Sequence, residues 1–288
     1  MPIEKRPFGS TGHQSSAVIF GAAALWECDQ TTADRVLDQL MQYGINHIDV
    51  APAYGDAEIR VGPWMDRHRG DFFLATKTRA RDYVGAWDDL KRSLDRMRTD
   101  RIDLLQLHAL IHPDDWDQAM GPEGALEALV EARDQGLIRF IGVTGHGWSV
   151  AAMHRRSLDR FAFDSVLMPW NWFCAHHRAY PPDFQKTREI CANRNVAVQT
   201  IKGIARGPWA AGAKKNRLPW YQPLENPEDI RTAVHWVLAE EDLFLNSVGD
   251  IDLLPHVLEA AAHIGPRSGD ADMQALQDRA GLASIFGI

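Results

Sequence analysis

The tightest constraint on the fold is a strict alternation of short apolar runs with helix-length amphipathic stretches along almost the whole chain. The pattern predicts strands near 17–20, 46–50, 72–76, 102–107, 138–143, 164–168, 196–201 and 244–248. Between them it predicts helices near 32–43, 57–68, 86–98, 123–135, 149–158, 183–194 and 227–240, with another near 252–263. The stretch TADRVLDQLMQYG illustrates the reasoning. Val36, Leu37, Leu40 and Met41 share one apolar stripe, Thr32 suits an N-cap, and Gly44 suits a helix stop. Eight β-then-α pairs point to a parallel sheet, and eight strands allow closure into a (β/α)8 TIM barrel. A doubly wound open sheet is the alternative. A nucleotide-binding sheet of that kind carries GxGxxG after its first strand, and IFGAAALW does not match it. No short repeat or low-complexity linker breaks the pattern, so residues 1–288 are read as a single domain.

The chain's 288 residues, 45% of them hydrophobic, suffice for one large core. A net charge of −8 argues against a nucleic-acid partner. No apolar run approaches the ~20 residues of a membrane span. The amino terminus MPIEKRPFGSTG lacks an apolar signal core, so a cytoplasmic location with no membrane partner is expected. Cys28, Cys174 and Cys191 are scattered and odd in number, which suits reduced thiols and no metal framework. Two long loops follow strands four (109–122) and seven (203–226), and loops of this length usually act as lids or binding segments. The tail, 266–288, carries a further short helical pattern expected to close the barrel's side or rim.

Three successive strands finish on or just before ionisable residues. Asp49 and Tyr54 lie in NHIDVAPAYG, Lys77 ends FFLATK, and His108 ends IDLLQLH. In a barrel the carboxyl ends of the strands gather in one place, so these four side chains form a candidate acid–base set. Tyr54 is the candidate proton donor. A phenol with a pKa near ~10 is a weak acid at neutral pH, and a cation such as Lys77 would ease proton loss. Asp49 would hold Lys77 charged and in place, and His108 would hydrogen-bond a substrate oxygen. A carbonyl held between Tyr54 and His108 would be polarised for hydride attack, with the phenol supplying the proton. Each residue alone has a packing or ion-pair explanation; their placement at neighbouring strand ends is what suggests catalysis.

These stretches resemble the aldo-keto reductases over about residues 5–263. FGSTGHQSSAVIFGAAALW is similar to the family's opening, an N-terminal β-hairpin with a glycine-rich turn leading into strand one. HIDVAPAYGDAE resembles its Asp-x4-Tyr-Gly signature, FFLATK its catalytic-lysine strand, and LKRSLDRMRTDRIDLLQLH the helix and strand that end in its catalytic histidine. The resemblance implies a barrel that reduces aldehydes or ketones with a nicotinamide cofactor. By likeness Tyr54 is the acid, Lys77 and Asp49 tune it, and His108 orients the carbonyl.

The resemblance also implies cofactor contacts after strands five to eight. There the chain has Thr144-Gly145-His146 where the family often has Ser-Asn, and Leu167 where it often has glutamine. Asn171 matches an aromatic-Asn element, Lys202 with Gly203 matches the strand-seven lysine, and Gly249 fits the strand-eight loop, with Asp250 beside it. No acidic residue falls between Ile190 and Leu224, whereas Arg194, Lys202, Arg206, Lys214, Lys215 and Arg217 do. That local positive charge suggests that Lys202, Arg206 and part of the loop meet cofactor phosphates. NADP(H) is therefore expected over NAD(H), which remains open because Asp250 and Asp252 would repel a 2′-phosphate.

Ten tryptophans suggest an aromatic-walled cleft for an apolar or aromatic small-molecule carbonyl. Trp26 and Trp148 are the leading pocket candidates; Trp170, Trp172, Trp209 and Trp220 are also expected near the mouth. Two other readings stay open. One is a non-catalytic sensor or regulatory protein that binds nicotinamide on the same fold. The other is a metal-dependent barrel hydrolase using His47, Asp49, His108 and His146, although no metal site is expected because this leaves Tyr54 and Lys77 without roles.

Overall fold

A computed structural model describes residues 1–266 and 268–287, so positions 267 and 288 of the tail lie outside the described residues. The chain opens with strands β1 (Lys5–Pro7) and β2 (Gln14–Ser16), which pair antiparallel. Eight further strands then alternate with helices: β3 (Val18–Gly21), α1 (Gln30–Gln42), β4 (His47–Asp49), α2 (Ala57–His68), β5 (Phe73–Thr78) and α3 (Tyr83–Arg96). They continue through β6 (Ile102–Leu107), α4 (Pro113–Met120), α5 (Ala125–Asp134), β7 (Ile138–Thr144), α6 (Val150–Arg160) and β8 (Ser165–Pro169). The series ends with α7 (Trp172–His176), α8 (Tyr180–Arg194), β9 (Ala197–Ile201), the hairpin β10 (Ala205–Pro208) and β11 (Tyr221–Pro223), and α9 (Pro227–Leu238). Strand β12 (Leu243–Asn246), α10 (Leu254–Ala262) and α11 (Asp270–Ala280) follow. The order β12-β3-β4-β5-β6-β7-β8-β9 closes as a parallel barrel, as the alternation predicts.

Period-two alternation sorts each strand's side chains between the barrel interior and the helices. Towards the amino ends the interior is apolar: Ile19, Phe73, Ala75, Leu104, Ala197 and Phe244 form one buried cluster. Phe8, from the turn between β1 and β2, joins this cluster and plugs the barrel floor, 4.8 Å from the His47 ring and 5.1 Å from Phe244. Burying one such aromatic contributes about 1.5–3 kcal/mol. Two residues further along the same faces the interior turns polar, with Asp49, Lys77, Gln106, Gln199 and Asn246 all buried. The barrel thus has a dry floor and a polar ceiling.

Helix α1 departs from expectation in one detail. Its N-cap is Asp29, whose carboxylate accepts from the Thr32 amide at 2.8 Å, so Thr32 lies inside the first turn. Asp29 wins because a cap oxygen must sit two or three residues before the amide it satisfies. Gly44 follows the helix at φ 72°, as a stop requires. The loop after β6 contains α4, and the loop after β9 contains the β10–β11 hairpin, so neither is structureless. Beyond α11 the tail returns to the rim, where Trp148 donates to the Gly287 carbonyl at 3.3 Å.

Candidate active site

Lys77 and Asp49 meet at the top of the barrel interior. The ammonium donates to Asp49 Oδ2 at 2.7 Å and to the Val50 carbonyl at 2.8 Å, with both side chains under 5% exposed. Asp49 also accepts from Gln106 Nε2 at 2.7 Å and Asn246 Nδ2 at 3.0 Å. Gln199 extends the chain by donating to Gln106 Oε1 at 3.1 Å. Burial disfavours the Lys77 charge, yet Asp49 more than compensates, and the ammonium's pKa is raised above its usual value. Lys77 stays charged.

Tyr54 hangs over this pair from the loop after β4. The loop turns through Gly55 at φ 54°, where an added Cβ would lie 2.6 Å from the Trp26 carbonyl and 2.8 Å from its indole. Only glycine lets the chain pass beneath Trp26 there. Lys77 Nζ lies 4.9 Å from the centroid of the Tyr54 ring. Burial raises the phenol above its ordinary pKa of 10, and the Lys77 charge opposes that rise without reversing it. The expectation of a phenol made acidic by its ammonium neighbour is corrected here: the cation acts in the right direction but burial is larger. Tyr54 is therefore fully protonated at neutral pH, the state a proton donor needs.

His108 follows β6, its amide bonded to the Thr78 carbonyl at 2.8 Å. Its ring lies 6.0 Å from Tyr54, near perpendicular. Burial first, and the Lys77 charge next, hold its pKa well below the usual imidazole value, so the ring is neutral. Nδ1 is buried without a partner, which leaves Nε2 to meet the cavity. His146 stands 6.4 Å away, ring to ring, with its pKa lowered to about 3 chiefly by burial and then by Lys202.

These groups open into a cavity of about 570 Å³, within the usual ~300–1,000 Å³ of small-molecule sites. Gly21, Trp26, Thr144, Lys202, Trp220 and Gly249 are part of its wall, together with Asp49, Tyr54, Lys77 and His108. Lys202 is half-buried at φ 71° with its ammonium over the Tyr221 and Trp220 rings, 4.5 and 5.1 Å from their centroids. Loss of water lowers its pKa to about 7, and no carboxylate offsets that cost. Such a cation, facing a cavity also lined by the His108 and His146 imidazoles, fits an anionic or polar occupant such as a dinucleotide.

Several expected contacts point elsewhere. Asn171 caps α7 by accepting from the Cys174 amide at 2.8 Å and donates to the Lys202 carbonyl at 3.0 Å. Gly145 lies behind the wall, where an added Cβ would meet Val150 and Ile111, and Gly203 backs onto Leu245. Asp250 turns inward to accept from the Asp252 and Leu253 amides. Arg206 is exposed and donates to the Ala280 carbonyl, tying the hairpin to the end of α11. Arg217 is held by Glu225, Asp252 and Asp250. Thr144 does line the cavity, although its hydroxyl already accepts from the Ala109 amide at 3.1 Å.

Trp26 lines the mouth as expected, but Trp148 does not. It stacks on His177 with ring centroids 3.7 Å apart and packs edge-on against Phe286. Trp170 and Trp172 are buried against Trp236. Trp220 and Tyr221 of the hairpin are the further aromatic wall. His47 belongs to the floor, its Nδ1 3.0 Å from the Ser15 hydroxyl, so the ligand set of the hydrolase alternative is not assembled. Among the described residues no group of three His, Cys, Asp or Glu side chains is placed to hold a metal.

The fold has solved relatives. The holo form of the aldo-keto reductase AKR11C1 from Bacillus halodurans superposes with a TM-score of 0.71 at 23% identity, covering 98% of this chain and 97% of that one. An aldo-keto reductase from Pseudomonas aeruginosa gives a TM-score of 0.70 at 22% identity, covering 90% and 94%. In sequence the chain is 28% identical over 224 residues to the uncharacterized oxidoreductase YqkF of Bacillus subtilis, 73% of this chain and 66% of that protein. It is 27% identical over 213 residues to norsolorinic acid reductase A of Aspergillus parasiticus, 66% of this chain and 52% of that protein. The chain thus spans between about half and two thirds of these curated relatives' lengths. The model of the aldo/keto reductase family matches residues 17–242, and the chain belongs to that family.

Proposed function

We propose that the chain is a nicotinamide-dependent oxidoreductase that interconverts an aldehyde or ketone and its alcohol, with Tyr54 as the proton donor. The observation that carries this is the buried Asp49–Lys77 pair seated against the Tyr54 ring, beside a neutral His108, at the floor of a cavity. A bound dihydronicotinamide would supply the hydride. The remaining work falls to the chain's own groups. His108 Nε2–H donates to the carbonyl oxygen and polarises it. Tyr54 holds the proton until that oxygen becomes basic, then releases it. Lys77 stabilises the phenolate as it forms, and Asp49 keeps Lys77 charged and fixed.

For the cofactor, Lys202 is the proposed phosphate contact, with Thr144 and Gly249 along the wall. NADP(H) is proposed as the preferred form with NAD(H) also accepted, because Lys202 faces the cavity whereas Arg206 and Arg217 are engaged elsewhere. The substrate is proposed to be a small carbonyl compound with an apolar body, matched to Trp26 and Trp220. The test is loss of dihydronicotinamide absorbance across a panel of aldehydes and ketones. Tyr54→Phe is expected to cut turnover at least ~10²-fold with cofactor affinity nearly unchanged. Cofactor binding with no turnover of any panel member would favour the sensor reading instead.

A further inference from the structure

Two arginines follow Lys77 in the segment TKTRARD, and the fold treats them differently. Arg81 is fixed by Asp115 at 3.2 Å and by the His108 and Ala109 carbonyls at 2.9 and 3.3 Å. It anchors the loop that carries His108. Arg79 is exposed and has no ion pair or hydrogen bond among the described residues, and it lines the cavity beside Tyr54 and His108. Its charge is felt at both of those groups and at His146.

The other charges in the wall do not neutralise it. Asp49 is committed to Lys77, and Lys202 adds positive charge from the far side. Glu27 also lines the mouth, but it is exposed and not among the charges acting most strongly on Tyr54, His108 or His146. In a chain of net charge −8, this cavity is locally positive. Arg79 comes from the loop after β5, on the side of Trp26 and Tyr54. Thr144, Lys202 and Gly249, the proposed cofactor contacts, follow β7, β9 and β12. A guanidinium presents a planar fork matched to a carboxylate, and the neighbouring indoles offer apolar surface.

We infer that Arg79 is a substrate-specificity residue, and that the preferred carbonyl substrates carry a carboxylate: an oxo acid whose anionic end binds Arg79 while its carbonyl lies between Tyr54 and His108. This rests on the proposed carbonyl reduction and names the substrate class of that same site.

The test compares benzaldehyde with its 2-, 3- and 4-carboxy derivatives, because the ring is constant and only the position of the anion changes. At least one carboxylated member is expected to exceed benzaldehyde in kcat/KM by about 3- to 5-fold, the upper range of one charge-assisted contact discounted for solvent. Arg79→Met is expected to bring that ratio, measured within each protein, down towards one. Added salt should lower the ratio in the wild type only. A ratio near one for every position, or a ratio that Arg79→Met leaves unchanged, overturns the inference while the carbonyl reductase reading stands. Calorimetric binding of benzoate is a readout independent of turnover. If no aldehyde is reduced with either dihydronicotinamide, the reductase reading fails. Benzoate binding lost in Arg79→Met then still upholds the anion site, and equal binding by both proteins sinks it.

Discussion

Replacing Asp49 by asparagine keeps the shape of the polar ceiling and removes its only carboxylate. Lys77 would then be an ammonium under 5% exposed, with the Val50 carbonyl and the Tyr54 hydroxyl as its remaining acceptors. Breaking a buried pair by removing one charge costs about 3–5 kcal/mol. For a chain of this length that is a fall in Tm of roughly 5–8 °C. The loss should depend on pH in a definite direction. In the wild type the folded pKa of Lys77 is raised. Its contribution is thus complete below the unfolded value of ~10.4 and is lost only as pH rises through the folded value. In Asp49→Asn burial is no longer offset, so the folded pKa drops below the unfolded one. Between those two values the unfolded chain binds more protons, and stability rises with pH.

The deficit should therefore narrow between pH ~6 and ~9, as Lys77 escapes its penalty by losing its proton. Lys202, whose pKa is lowered to about 7, adds a similar slope to both proteins, so the difference between them isolates Lys77. Thermal unfolding of both proteins over that range is the measurement. A deficit below ~1 kcal/mol, or one that does not change with pH, would refute the view that Asp49 is what keeps Lys77 charged. Substituting both partners by apolar residues is not expected to restore stability. Gln106 Nε2 and Asn246 Nδ2 would each lose an acceptor, at ~1–3 kcal/mol apiece.

Two further outcomes follow from the cavity wall. If the Lys202 ammonium meets a cofactor phosphate, affinity should be flat below about pH 7 and weaken by up to ~10-fold per unit above it, because only the charged form binds. Fluorescence titration of NADPH and NADH reads this, and a flat wild-type profile, or the same slope in Lys202→Met, would count against the contact. Gly55→Ala should cost ~1–3 kcal/mol and lower turnover by ~10-fold or more, because the new methyl displaces Trp26 or lifts Tyr54 from Lys77; unchanged turnover would show that the loop adapts.

The barrel was legible because its signal is redundant: eight apolar runs at regular spacing each report the same architecture, and every predicted strand overlaps an observed one. Asp49, Tyr54, Lys77 and His108 were legible because barrel closure brings strand ends together whatever the details between. Facing was not legible. Six basic residues between Ile190 and Leu224 suggested a phosphate-binding loop, yet the hairpin buries Tyr221, lays a half-exposed Trp220 along the cavity and leaves Arg206 outside. Composition counts charges without saying which side of a ribbon they occupy. Trp148 and Trp220 were equivalent as letters, and the stack on His177 together with the returning tail, through Gly287 and Phe286, takes Trp148 out of the cleft. The neutral amides Gln106, Gln199 and Asn246 escaped notice because no charge marks them. The alternation that places Gln106 on the same face as Leu104 could have found one.

The buried amides explain how an ion pair is tolerated inside the barrel, beneath the cavity. Asp49 spends both oxygens on Lys77, Gln106 and Asn246, and Gln106 passes its own oxygen to Gln199. Asp49 itself is saturated, although Gln199 Oε1 and Asn246 Oδ1 are buried without partners, and this suits a fixed charge that does not exchange partners. One level higher, His108 and His146 each bury an unpartnered nitrogen, Lys202 lacks a carboxylate, and Arg79 lacks any partner among the described residues. Lys202 bears an unmet desolvation cost that an anionic occupant could relieve, and the exposed Arg79 is open to pairing, whereas the charges of the layer beneath are already paired. The protein thus separates the groups that hold the site's charge from those free to meet ligands, and Tyr54, between them, feels Lys77 from below and the cavity from above.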